Sequence, residues 1–349
     1  QLNSYFIDKV HEVVCAVPRT TSDFNNYLNK LSKPNSIFAF KQFTVEDVYS
    51  AIMQLKSSTC LDVFGLNSKI LKLASIFICE PLTHIFNSCL NVGVFPDIFK
   101  YVKVIPVPKK GDKLDFANYR PISIIPTVSK VLEILLNKQI CKYFEENSLF
   151  TNCQFGFRNS YSTVDAVVSF IKRSFCELEK GHYVSSRFFY LTKAFDSVSH
   201  DILLHKIKFY GFDDVSVKFI NSYLSDRYQH VYINDHNKSD FRLIQYGVPQ
   251  GSILGPVLFI IYVNDLPVGI QRDCLDAYLY ADDLAVNFSN SCHQSMISIY
   301  DNLNFTVFDW CNANYLTINP SKSEDLEFNI NSNNSSVVKS IKFLGIHLE

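Results

Sequence analysis

An α+β fold with antiparallel strands is what this sequence predicts, and three observations predict it. Apolar residues recur at helical spacing in long stretches, as in Val164, Val167, Val168, Ile171 and Phe175, which line one face of a 3.6-residue repeat. Short β-rich runs such as residues 183–191 stand between those stretches. A tight hairpin pattern centres on residues 280–286, where two apolar runs flank Asp282-Asp283. Helices first, then strands interleaved with helices and closed by hairpins, make an α+β order rather than a regular βαβ alternation.

Taken in order, residues 1–35 are polar and weakly patterned, end in Ser32-Lys33-Pro34-Asn35, and read as a linker or tail. Thr44 is placed as an N-cap with Asp47 at N3, ahead of Val45, Val48, Ile52 and Leu55. Residues 68–78 and 81–91 read as two helices, and 102–107 as a β run broken by prolines, which suits an exposed edge hairpin. Residues 129–147 and 162–180 are amphipathic helices, the second ending at Gly181, a natural C′ residue. Helices are expected at 199–210, 215–224, from Pro256, and at 294–312, with short strands at 231–234 and 242–245. Residues 329–336, rich in Asn and Ser, read as a solvated loop. There is no internal repeat.

Composition bounds the function. At 349 residues the chain has room for about two domains. With 47% hydrophobic and 19% charged residues it is not a disordered chain. A net charge of −1 supplies no global field for nucleic acid or anionic lipid, so any such binding needs a local basic face. The longest apolar run, 256–263, is far short of the roughly 20 residues that span a bilayer, and no membrane partner is expected. The ten cysteines form no Cys-x-x-Cys pair, which argues against a zinc site and for a reducing compartment. The start, Gln1-Leu2-Asn3-Ser4, has no signal-peptide character; lacking Met, it reads as a piece of something longer.

Several segments carry chemistry. Tyr280-Ala281-Asp282-Asp283 sets two adjacent carboxylates at a turn between apolar strands, which is costly unless something positive sits there. Hard oxygen ligands of this kind suit Mg²⁺ and phosphoryl transfer, although Asp is also an ordinary turn residue. Residues 246–267, YGVPQGSILGPVLFIIYVNDLP, place a Gly/Pro/Gln/Ser loop before an apolar helix. There Gly247, Gly251 and Gly255 allow close approach to a ligand, and the helix N-terminus favours phosphate. Upstream lie NYRPISIIPTVSKVLE at 118–133 and QFGFRNSYST at 154–163. Residues 100–113 hold Lys100, Lys103, Lys109, Lys110 and Lys113 against Asp112, a local +4.

Together and in this order, the segments resemble the reverse transcriptase of non-LTR (LINE-like, jockey-type) retrotransposons, from about Phe40 to Glu349. The resemblance implies a right-hand polymerase fold: a palm made of a small antiparallel sheet packed on helices, and fingers. It implies fingers and the start of the palm over 36–180, palm over 181–335 with a finger insertion near 200–245, and a primer-grip hairpin beginning at 336–349, with no thumb and no upstream endonuclease in this chain. It implies RNA-directed DNA synthesis with an RNA template, a DNA primer, dNTPs and two Mg²⁺ ions, in the cytoplasm and nucleus. Asp282 and Asp283 would be metal carboxylates and Lys322 would sit near the leaving pyrophosphate. Lys109, Lys110 and Arg120 would lie over the triphosphate. Phe195 would reject a ribose 2′-OH, and Gln250 and Gly251 would pack near the nascent base pair. Gln154 to Arg158 would hold template, and Phe343-Leu344-Gly345 would form the primer grip.

One departure bears on activity. The family pattern F-x-D-L-x-K-A-F-D aligns with FFYLTKAFD at 188–196, so Tyr190 stands where the family places its other metal-binding Asp. A phenol is neutral at pH 7, and losing one anionic ligand costs on the order of 10²–10⁴ in rate. Asp196, six residues on, is past the strand end and not expected to substitute. The turn at 60–65 and residues 98–100 depart in smaller ways, keeping Asp62 but lacking the family's Trp. The reading is thus a polymerase domain in an impaired, truncated copy; the alternatives are a catalytically silent RNA-binding remnant, a relic without function, or a group II intron-type reverse transcriptase. The spacing of GVPQGS to YADD disfavours a viral replicase.

Overall fold

The computed structural model describes residues 1–18, 22–109, 111–270, 274–328 and 340–348. Its helices are α1 (Leu2–Cys15), α2 (Asn25–Leu28), α3 (Val45–Gln54), α4 (Ser68–Val92), α5 (Thr127–Glu146) and α6 (Thr163–Glu179). They continue with α7 (His200–Phe209), α8 (Asp214–Leu224), α9 (Leu254–Tyr262), α10 (Leu266–Ile270) and α11 (His293–Ala313). The strands are β1 (Tyr101–Pro108), β2 (Tyr119–Ile124), β3 (Tyr183–Thr192), β4 (Arg227–Asn234), β5 (Asn237–Lys238) and β6 (Arg242–Ile244). The remaining strands are β7 (Leu275–Tyr280), β8 (Asp283–Asn290), β9 (Thr317–Ile318), β10 (Glu324–Phe328), β11 (Ile341–Phe343) and β12 (Ile346–Leu348). These elements divide into two compact units, and the architecture is α+β as expected.

The first unit comprises Gln1–Cys15, Lys33–Leu149 and Phe195–Ile261. Its sheet runs β2-β1-β4-β5, with β6 beside β4. The expectation that 102–107 is an edge is corrected here: β1 pairs antiparallel with β2 and parallel with β4 over Tyr101–Val104. Pro106 and Pro108 are tolerated because they fall beyond the parallel pairing, where only β2 adjoins. Thr44 caps α3 as predicted, its hydroxyl accepting from the Asp47 N–H at 3.1 Å in a reciprocal capping box.

Two further expectations fail in this unit for tertiary reasons. Residues 68–78 and 81–91 are one helix, α4, with Pro81 inside it. Asn67 caps its start through the Ile70 N–H, and Gly93, at φ 67°, closes its end. A buried stripe through Leu71, Ser75, Cys79, Phe86 and Leu90 runs on past the proline, so packing outweighs one lost backbone bond. Among the described residues, α4 is the one helix long and apolar enough to cross a membrane, by length and composition; it packs against α3, α5 and α8. The segment 1–35, read as a tail, contains α1. Phe6 packs with Val104 and Val231, and Asn3, 2% exposed, exchanges hydrogen bonds with Gln229. Gln229, Asn3's partner, lies 226 residues away, beyond any local pattern.

The second unit comprises Ala16–Ser32, Phe150–Ala194 and Tyr262–Glu349. Its antiparallel sheet runs β10-β3-β8-β7, with β9 beside β3. Helix α6 begins at the Ser162–Asp165 capping box, and Gly181 follows at φ 76°. Phe170 on α6 meets Tyr278, Phe188, Phe328 and Phe343 in an aromatic core. The expected loop at 329–336 lies outside the described residues.

Candidate active site

In the second unit, β7 and β8 pair in register from Leu275↔Phe288 to Tyr280↔Asp283. That leaves Ala281 and Asp282 as a two-residue hairpin turn. Ala281 has φ 58°, which costs a non-glycine residue about 1–3 kcal/mol and must be held by its surroundings. The holder is Gln154: its Oε1 accepts from the Ala281 N–H at 3.1 Å and the Gly156 N–H at 2.8 Å. Alongside, the Leu279 N–H donates to the Cys153 carbonyl and the Phe155 N–H donates to the Leu279 carbonyl, each at 2.8 Å. Gly156 passes so close that a Cβ there would stand 2.5 Å from the Ala281 nitrogen. Gln154, expected to hold template, is only 1% exposed, and its amide oxygen is spent on the backbone beneath the acidic turn. Arg158 donates to the Thr151 and Gln154 carbonyls at 3.0 and 3.3 Å and lies over the Tyr161 ring, a structural use of its guanidinium.

The strand carrying Tyr190 lies beside this turn. Asp283 on β8 pairs with Tyr280 on one side and with Tyr190 of β3 on the other. Asn319 donates to the Tyr190 carbonyl at 2.8 Å, and the Tyr190 N–H donates to Ser323 Oγ at 3.3 Å. This pinned loop brings the Lys322 ammonium over the Tyr190 ring, 4.6 Å from its centroid. Tyr190, Asp283 and Lys322 line one cavity together with Phe188, Glu324 and Leu344.

The electrostatics are those of an acidic turn without a counter-ion. Burial raises Asp282 above the usual carboxylate range. Asp283 is pushed up to about 6, first by desolvation and then by the charge of Asp282, although its outer side reaches solvent. Among the described residues neither carboxylate has an ion-pair partner, and no three His, Cys, Asp or Glu side chains gather to hold a metal. The donor set does not fit a pair of Mg²⁺ ions. Such ions need carboxylates converging from both strands, and β3 presents a neutral phenol with a lysine over it.

The other expected residues lie in the first unit. The Phe195 ring stacks on Phe259 at 4.2 Å. Gln250 donates through Nε2 to Asp196 Oδ1 at 2.9 Å; Asp196, doubted as a metal ligand, thus orients Gln250. A ligand is not what the loop glycines approach. A Cβ on Gly247 would meet the Asp196 backbone at 2.5 Å, one on Gly251 the Ser123 carbonyl at 2.7 Å, and one on Gly255 the Ser252 hydroxyl at 2.5 Å. Nor is the N-terminus of α9 open to phosphate: Ile253 and Leu254 donate to Glu133 and Gly255 donates to Ser252.

The basic run is also less of a face than its charge implies. Lys100 is buried and paired with Asp97 at 2.8 Å. Lys103 donates to the Leu61 carbonyl and lies over Tyr232. Lys109 donates to the Ala117 carbonyl at 3.0 Å, and Lys110 lies outside the described residues. Arg120, paired in register with Val107, remains exposed.

Some supporting residues escaped sequence reasoning. Asp62 is 4% exposed; it accepts from the Phe64 and Leu66 N–H groups with one oxygen and from the Thr127 N–H, at the start of α5, with the other. Only its survival in a degraded turn signalled a role. Glu133 gave no local signal beyond being an acid within an apolar helix face.

An antiparallel sheet bearing an acidic hairpin on a core helix, with a Gln-bearing loop ahead of an apolar helix, has the parts of a nucleotidyl-transferring polymerase. The chain belongs to the reverse transcriptase (RNA-dependent DNA polymerase) family, whose sequence pattern matches residues 107–348. It is 30% identical over 324 residues to the probable RNA-directed DNA polymerase from transposon BS of Drosophila melanogaster, covering 87% of this chain and 34% of that protein. It is 29% identical over 322 residues to the RNA-directed DNA polymerase from mobile element jockey of Drosophila funebris, covering 88% and 35%. Against the probable polymerase from transposon X-element of Drosophila melanogaster it is 29% identical over 265 residues, covering 71% and 28%. The chain therefore spans about a third of the length of these relatives.

Proposed function

We propose that this chain is the RNA-directed DNA polymerase domain of a non-LTR retrotransposon, acting on an RNA template, a DNA primer and dNTPs, and that in this copy the reaction is impaired. The register Tyr190↔Asp283 carries the second half of that reading. It aligns the two strands so that Tyr190 stands where an intact member would set its second carboxylate opposite the acidic turn. In an intact member, a metal pair at such a turn would supply a Lewis acid for the primer hydroxyl and the leaving pyrophosphate. The residues here that would contribute to such a site are Asp282 and Asp283, and they make half of it.

What the remaining side chains support is substrate placement. Gln250, oriented by Asp196, offers an amide oxygen to a nucleotide. Arg120 offers a planar cation to phosphate, and Phe195 is braced by Phe259 against displacement.

Incorporation of dNTPs onto a primed RNA, measured for the chain as it stands and for Tyr190→Asp, tests this. Activity is expected only from the variant, a gain on the order of 10²–10⁴. Equal, robust incorporation by both would overturn the assignment of Tyr190 as the lesion.

A further inference from the structure

In the first unit a fully buried carboxylate closes the start of α9. Glu133, 0% exposed, accepts at Oε2 from the Ile253 and Leu254 N–H groups at 2.7 and 3.2 Å, and at Oε1 from the Ser129 hydroxyl at 3.2 Å. Ser252 completes the turn: its hydroxyl accepts from Gly255 at 3.0 Å and donates to the Pro249 carbonyl at 2.7 Å. The N–H groups of Ile253, just before α9, and of Leu254 and Gly255, its first two residues, are thereby satisfied, and Pro256 at the third position has no N–H to satisfy.

The counter-charge comes from β4. Arg227 is 2% exposed, donates through Nη1 to the Tyr223 carbonyl at 3.0 Å, and lies over the Tyr223 ring at 4.9 Å. Its Nε and Nη2 have no hydrogen-bond partner among the described residues, so its charge faces Glu133 without a direct bond. Burial pushes the Glu133 carboxyl up, while Arg227 and the three donors favour its ionised form.

The same loop is held again at its other end. Ser123 of β2 donates to the Gln250 carbonyl at 3.2 Å, and Gln250 donates to Asp196. An ionised Asp196 only accepts, so the amide nitrogen must face it and the amide oxygen is left for substrate. Gln250 thus hangs between an anchor at Asp196 and Ser123 and an anchor at Glu133.

We propose that Glu133 is a positioning residue for the polymerase reaction: with Arg227 as its counter-ion it clamps residues 249–254 and so sets the placement of Gln250 toward the incoming nucleotide. This rests on the proposed polymerase reading. The test compares the full chain with Glu133→Gln, which keeps an acceptor oxygen at full reach, and with Glu133→Asp, which keeps the charge but is one methylene short.

Two readouts are taken: hydrogen exchange of peptides covering 247–256, and retention of a fluorescent primed RNA in the presence of complementary dNTP. Glu133→Asp should lose protection in that peptide by about tenfold, with other peptides unchanged. It should also weaken the dNTP-dependent complex by about tenfold while leaving primed-RNA binding alone unaffected. Glu133→Gln should lose only part of that protection, because it keeps the acceptor but leaves the buried Arg227 without its counter-ion. Parent-like exchange in Glu133→Asp overturns the proposal, as does uniform deprotection of every peptide. If neither the parent nor Tyr190→Asp forms a dNTP-dependent complex, the polymerase reading fails, and the exchange pattern alone decides whether Glu133 clamps the loop.

Discussion

Tyr190 and Asp283 are direct cross-strand partners in the β3–β8 ladder, and the ammonium of Lys322 covers the tyrosine ring. Facing residues of an antiparallel pair have Cβ atoms about 4.5–5.5 Å apart. An aspartate at 190 would therefore bring a carboxylate to the Asp282-Asp283 turn without moving the backbone. The ring instead brings a cation to the site through its π face and no negative charge.

Metal dependence of stability follows from that pairing. A ligand that binds the folded state raises its stability as RT ln(1 + [L]/Kd). Millimolar Mg²⁺ should leave the melting temperature of the parent nearly unchanged and raise that of Tyr190→Asp by several degrees. Equal shifts in the two proteins, read by scanning fluorimetry, would refute the assignment of Tyr190 as a lost ligand.

The acidic turn should be a stability defect near neutral pH. The folded value for Asp283, about 6, is above the ordinary carboxylate value. A raised carboxyl favours the folded state while protonated, below about pH 4, and that benefit is lost as pH rises through about 6. Asp283→Asn should therefore be more stable than the parent at pH 7, by roughly 1 kcal/mol once solvent screening of an exposed side chain is allowed for. The difference should vanish near pH 4. Urea melts at the two pH values measure it, and a gain that grows toward acid would contradict the sign.

Gln154 should matter for folding more than for template affinity. Its oxygen satisfies two buried backbone donors at a strained turn, and leaving such donors unpaired costs about 1–3 kcal/mol. Gln154→Leu is expected to lower the urea midpoint accordingly while primed-RNA binding by the remaining folded protein is unchanged. Lost RNA affinity at unaltered stability would return Gln154 to the template-contact role.

Asp62 should show the signature of a carboxylate that caps at a distance. It ties its own turn to the first turn of α5 through the Thr127 N–H. Asp62→Ala is expected to cost about 1–2 kcal/mol, and Asp62→Asn, which keeps an acceptor for the α5 end, about half of that. Matching losses for the two variants would assign the effect to packing rather than to the hydrogen bonds.

Local elements were legible because their causes are local. The Thr44 and Ser162 capping boxes and Gly181 after α6 each follow from side chains within a few residues of one another. So was the family, because its motifs are contiguous strings.

What only the tertiary structure decided is which polar groups are consumed by the fold. Lys100, Lys103 and Gln154 look like ligand contacts in a string, yet each is buried or bonded to backbone from a distant segment. The helix in 1–35 depends on Gln229 and Val231, and the closed end of α9 depends on Glu133, 120 residues upstream. Desolvation is the physical reason. A buried donor or charge must find a partner wherever the chain supplies one, and sequence spacing carries no record of which partner arrives.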